Sequence, residues 1–120
     1  MGVEKTILKD GDGVHYPKKS DTVAIEYTGT LYDPTSYDEY KRGSKFDSSV
    51  GRGDFETPIG VGKVIRGWDE GVPTMSLGEH AILTITSDYA YGDRGFPGHI
   101  PPDASLVFEV ELKAINGKKA

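Results

Sequence analysis

The sequence contains no cysteine, only 3 histidines, and nothing approaching the roughly 18 consecutive apolar residues that a membrane span needs. Without cysteine there are no disulfide frameworks, no thiolate metal sites and no cysteine nucleophile. The opening Met-Gly-Val-Glu-Lys lacks the apolar stretch of a secretory signal. A soluble cytoplasmic protein is therefore expected, with the nucleus as a second location, and no membrane partner. A net charge of −5 with no basic cluster argues against nucleic acid, because affinity for a phosphate backbone rests on concentrated Lys and Arg.

The usual catalytic signatures are missing as well. His15, His80 and His99 are scattered, with no helix or strand spacing that would hold zinc, so no metal is expected. There is no Gly-x-Ser-x-Gly elbow, and a hydrolytic triad would need one of these histidines beside a serine and a carboxylate. Gly60-Val-Gly62 opens a glycine run near a helix, but the third glycine of a dinucleotide fingerprint should fall where Ile65 stands. No cofactor is expected. Arg52-Gly53-Asp54 spells an integrin tripeptide, which in an intracellular chain is chance.

What is present points to shaped loops and strands. With 120 residues the chain is long enough for one core and too short for two, so residues 1–120 are expected to form a single domain. The 16 Gly and 7 Pro favour strands over long helices. Val3 to Lys9 reads as a strand closed by the turn Asp10-Gly-Asp-Gly13. From Thr22, inward Val23, Ile25 and Tyr27 alternate with Ala24, Glu26 and Thr28. Residues 32–45 carry mixed charge, several tyrosines and no period, and read as an exposed loop. Phe46 to Ser49 and Asp54 to Ile59 are short strands around Gly51 and Gly53, with a bend between them. Lys63 to Met75 holds one short helix, with Ile65, Trp68 and Val72 on one face and Gly67, Gly71 and Pro73 limiting its length. Glu79 to Thr86 turns Ala81, Leu83 and Ile85 inward, and Ser105 to Ile115 turns Leu106, Phe108, Val110 and Leu112 inward. Between them, Asp88 to Asp103 is a loop rich in Pro, Gly and aromatics, long enough to suggest function. The expected fold is α+β, an antiparallel sheet of about five strands, each polar on one face, covered by one short helix.

Tyr27, Phe46, Trp68, Tyr91 and Phe108 lie where they could converge. The ordinary role of an aromatic on an inward strand face is core packing. The runs Tyr27-Thr-Gly29, Phe46-Asp-Ser-Ser49, Val64-Ile-Arg-Gly-Trp-Asp-Glu-Gly71, Ala90-Tyr-Gly92 and Leu106-Val-Phe-Glu-Val-Glu-Leu112 favour the other role. In this order they resemble the FKBP-type peptidyl-prolyl cis-trans isomerases, most closely the minimal cytosolic, fungal-type members.

The resemblance implies a five-stranded antiparallel sheet wrapped around one short helix, and an enzyme that isomerises X-Pro bonds and binds tacrolimus and rapamycin. By resemblance the catalytic cleft comprises Tyr27, Phe46, Asp47, Ile65, Trp68, Tyr91 and Phe108, with Arg52, Phe55, Lys63, Val64, Phe96, His99 and Ile100 contributing to ligand binding. Trp68 would be its floor. The Ile65 N–H and Tyr91 hydroxyl would donate to ligand carbonyls. Asp47 would accept from a ligand hydroxyl or, alternatively, serve only to pair with Arg52, and the Lys63 carbonyl would accept another bond. Partners implied are X-Pro polypeptides, the two macrolides and, with drug bound, calcineurin or the target-of-rapamycin kinase.

The chain departs from that pattern in its Tyr-rich insertion within residues 32–45, in Lys63 where an acidic residue is common, and in Phe96 and His99 at variable loop positions. Two other functions compete with the enzyme. One is a non-catalytic module that grips Pro-containing partners or macrolides in the same pocket. The other is a structural protein that uses the insertion as its interface.

Overall fold

The computed structural model describes residues 2–120. One antiparallel sheet contains seven strands: β1 (Val3–Lys9), β2 (Thr22–Tyr32), β3 (Arg42–Ser48), β4 (Phe55–Pro58), β5 (His80–Ile85), β6 (Leu106–Ile115) and the two-residue β7 (Lys118–Lys119). The main path runs β1-β5-β6-β2-β3. β4 also pairs with β2, at Thr22 to Ile25, whereas β3 pairs with Thr28 to Tyr32. β3 and β4 thus occupy successive stretches of one lane, which gives five lanes, as expected, and seven separate strands.

Hydrophobic alternation sets the faces. Val23, Ile25, Ala81, Leu83, Ile85, Leu106, Val110 and Leu112 are all fully buried, so each of these strands turns the predicted side to the core. The helix α1 (Arg66–Gly71) and a following 3-10 turn, Val72–Thr74, cross that face. Helical geometry begins later than the sequence pattern suggests and covers only part of Lys63–Met75. Trp68 and Val72 are buried between helix and sheet, and the closeness of that contact explains Gly67. A Cβ there would stand 2.6 Å from Ile85.

Two expectations are corrected. The loop is shorter than residues 32–45, because β2 extends to Tyr32 and β3 begins at Arg42. Short-range polar contacts make 33–41 compact: Asp33 accepts from the Thr35 N–H, Asp38 accepts from the Tyr40 N–H, and Arg42 forks onto Asp38 while reaching Glu109 at 2.8 Å. Nor is every strand polar on its second face. Ile82 and Val107 are buried there, on central strands, with Ile82 flanked in register by Thr6 and Glu109 and Val107 by Thr84 and Thr30. Among the described residues, no helix is long and apolar enough to cross a membrane.

Candidate active site

The residues of the cleft come from seven segments. β2 supplies Tyr27, β3 supplies Phe46 and Asp47, β4 supplies Phe55, and the approach to α1 supplies Lys63, Val64 and Ile65. Trp68 comes from α1, Tyr91 from the loop after β5, and Phe108 from β6. Together they line a chamber of about 270 Å³. Trp68 forms the floor at 4% exposure. Its ring meets Tyr27 edge-on at 5.0 Å and Phe108 at 5.1 Å, while Phe46 stands perpendicular to Phe108 at 5.6 Å. Edge-to-face packing of this kind fixes each ring by its neighbours' quadrupoles as well as by burial. The Trp68 indole N–H is buried, with no hydrogen-bond partner among the described residues.

A second chamber of about 240 Å³ shares Phe46, Asp47 and Tyr91 with the first and continues to Phe96, His99 and Ile100. The loop after β5 closes it. Phe96 and Ile100 exchange backbone hydrogen bonds of 2.8 Å, and Phe96 stacks edge-on to Tyr91 at 5.8 Å and to His99 at 5.3 Å. Ile100 is buried, whereas Phe96 remains 49% exposed at the lip. Arg52 lines neither chamber. It lies at the edge, donating to Asp47 at 2.9 Å.

The polar groups of the cleft are arranged to hold rather than to react. The Tyr27 hydroxyl donates to Asp47 at 2.6 Å. Burial, then the neighbouring Asp47 carboxylate, push the Tyr27 hydroxyl up to about 12. For Asp47 burial acts upward, but the hydrogen bonds from Tyr27, the Ser48 N–H and Arg52 outweigh it and hold the carboxyl below its ordinary range. Burial and the Asp47 charge also raise Tyr91. All three groups therefore keep one protonation state across the neutral range. Among the described residues, the Ile65 N–H, the Tyr91 hydroxyl and the Lys63 carbonyl have no intramolecular hydrogen-bond partner.

Two positioning residues were not singled out from sequence. Gly29 lies opposite Asp47 on β3 and Phe108 on β6, and a Cβ there would sit 2.7 Å from both the Phe108 and Phe46 rings. A glycine inside a strand is a recognised sign of such close approach. Asp69 accepts the Gly60 and Gly62 N–H groups at 2.8 Å each, pinning the loop that carries Lys63 to Ile65. A larger groove of about 570 Å³ runs past Asp54, Glu56, Glu111 and Lys113, but among the described residues no aromatic side chain lines it.

A family model described as FKBP-type peptidyl-prolyl cis-trans isomerase matches residues 13–113. The chain is 59% identical to a peptidyl-prolyl cis-trans isomerase of Schizosaccharomyces pombe over the full length of both proteins. It is also 59% identical, again over the full length of both, to FK506-binding protein 1A of Aspergillus fumigatus. With FK506-binding protein 1 of Yarrowia lipolytica it shares 60% identity, over 97% of this chain and all of that one.

Proposed function

The chain belongs to the FKBP-type peptidyl-prolyl cis-trans isomerase family, and we propose that the ring-walled cleft is where it binds the proline and turns the X-Pro bond. The observation that carries this assignment is the convergence of Tyr27, Phe46, Phe55, Trp68 and Phe108 around one apolar chamber bordered by unpaired backbone and side-chain donors.

Rotation about the amide breaks its resonance, a barrier of about 18–20 kcal/mol, and no covalent bond is made or cut. The planar amide carries charge separation that water stabilises, and the twisted transition state has lost it. An apolar floor therefore lowers the twisted form relative to either planar one. The Ile65 N–H and Tyr91 hydroxyl hold carbonyls of the flanking chain, so that binding energy is applied to the twist. Asp47, committed to Tyr27 and Arg52, orients and accepts. No proton transfer is required of it.

The same chamber and its neighbour would hold a macrolide such as tacrolimus or rapamycin. The names of the fungal relatives, with their high identity, support that reading. A drug so held would be bordered by the exposed Phe96 and by His99, forming a composite surface for calcineurin or the target-of-rapamycin kinase. The cysteine-free composition suits a reducing cytoplasm. Exchange NMR on an X-Pro peptide tests the enzyme directly. Substoichiometric protein should speed cis/trans exchange, and tacrolimus should abolish the effect. Unchanged exchange with retained macrolide binding would leave a binding module in place of an enzyme.

A further inference from the structure

Two residues lining the first chamber carry formal charge at neutral pH, Asp47 and Lys63. Their circumstances differ. Asp47 is matched by Arg52 at 2.9 Å and takes the Tyr27 hydroxyl besides. Lys63 is exposed, and among the described residues no carboxylate lies within ion-pair distance of its ammonium. Asp69, which secures the same loop, spends both oxygens on the Gly60 and Gly62 N–H groups. Arg66, three residues on, is already paired with Glu70 at 2.6 Å. A chain of net charge −5 therefore presents at this cleft one uncompensated charge, and it is positive.

On the reading of this cleft as the isomerase site, we propose that Lys63 is a specificity-determining residue that selects proline segments with a carboxylate side chain, Asp or Glu, adjacent to the proline. Its position serves discrimination. Lys63 lines the chamber, and its flexible stem gives the ammonium the reach to meet the flank of a peptide held there. It remains wet, so attraction for one sign and repulsion of the other are modest and salt-sensitive. The apolar floor is indifferent to that sign and recognises the proline ring itself. Charge at the wall and apolar surface at the floor thus act on different parts of the same substrate.

The test uses three peptides that differ only beside the proline, with Glu, Gln or Lys, placed before the proline in one series and after it in a second. Catalysed exchange is measured by NMR as kcat/KM. At low ionic strength the wild-type protein should prefer Glu over Gln, and Gln over Lys, by roughly two- to fivefold per step in at least one series. The order should flatten in about 1 M salt, where the Debye length is about 3 Å. Lys63→Gln should flatten it at low salt, and Lys63→Glu should reverse it. Equal rates on all three peptides in both series, or an order that survives in Lys63→Gln, overturns the proposal. If the Gln peptides are still catalysed in that event, the isomerase site stands without charge selection. If no peptide is catalysed, both readings fall.

Discussion

Placing a methyl group on Gly29 tests whether the cleft is held by ring packing. The backbone there is ordinary β-strand, so alanine introduces no conformational strain. Its effect is steric. The new Cβ would meet the Phe108 and Phe46 rings at 2.7 Å, and each must retreat by roughly 0.8 Å to reach the ~3.5 Å of normal carbon contact. Phe108 cannot easily move, being 3% exposed and wedged against Trp68. Phe46, half-buried at the rim, must give way. Overpacking of this kind costs about 1–3 kcal/mol, which for a 120-residue chain is a fall in Tm of roughly 4–12 °C. Because Phe46 walls both chambers, a displacement approaching 1 Å should lower kcat/KM about tenfold or more. Thermal melts and exchange NMR on Gly29→Ala measure the two effects. Adding Phe46→Ala should make the alanine at 29 cheaper, giving a coupling of at least ~0.5 kcal/mol in a double-mutant cycle. A Gly29→Ala protein with unchanged Tm and kcat/KM, or purely additive double-mutant behaviour, would refute the claim that ring packing at this glycine sets the cleft.

Phe46→Ala and Tyr91→Ala should weaken tacrolimus binding tenfold or more while lowering stability by less than about 2 kcal/mol, since both side chains are only partly buried. Titration calorimetry alongside urea melts checks this, and equal losses in both would mark them as core. Tyr27, with its hydroxyl at about 12 in the folded chain and about 10 when unfolded, contributes stability that is fully present below pH ~10 and is lost as pH rises from there toward 12. Urea melts at pH 8 and pH 11 should show Tyr27→Phe losing less stability over this interval than wild type. Asp47 works in the opposite sense: its folded carboxyl titrates below the ordinary range, so its contribution is present above that range and is lost in acid. Arg42→Ala severs the bonds to Asp38 and Glu109 that hold residues 33–41. Faster amide exchange at Ser36 and Lys41 is expected, with a stability loss near 1 kcal/mol and X-Pro catalysis within twofold of wild type.

Much of the strand plan could be read from local pattern. The alternations at Val23-Ile25, Ala81-Leu83-Ile85 and Leu106-Val110-Leu112 have the period of a pleated strand, and the neighbours in the chain suffice to reveal it. The boundary errors have a physical origin too. Residues 42–45, Arg-Gly-Ser-Lys, have little intrinsic strand character and become β3 because β2 offers them a ladder. Ile82 and Val107 alternate outward correctly but are buried by neighbours on adjoining strands, which no single segment announces. Tyr27, Phe46, Trp68, Tyr91 and Phe108 were singled out from the sequence through family motifs; as aromatics alone, they would have passed for ordinary core. Gly29 and Asp69 were legible in kind, as a strand glycine and a helical carboxylate, but the partners that give them meaning are distant along the chain.

By itself, then, the sequence determined which faces turn inward, where the short helix falls, and the isomerase family to which the motifs belong. Those properties rest on periodicity and on short runs of residues. The register of β2 against β3, β4 and β6 was decided only in three dimensions, and with it the meeting of rings from six segments and, among the described residues, the lack of an ion-pair partner for Lys63. Such features depend on distances between residues remote along the chain, which are set when backbone pairing and core packing are satisfied together.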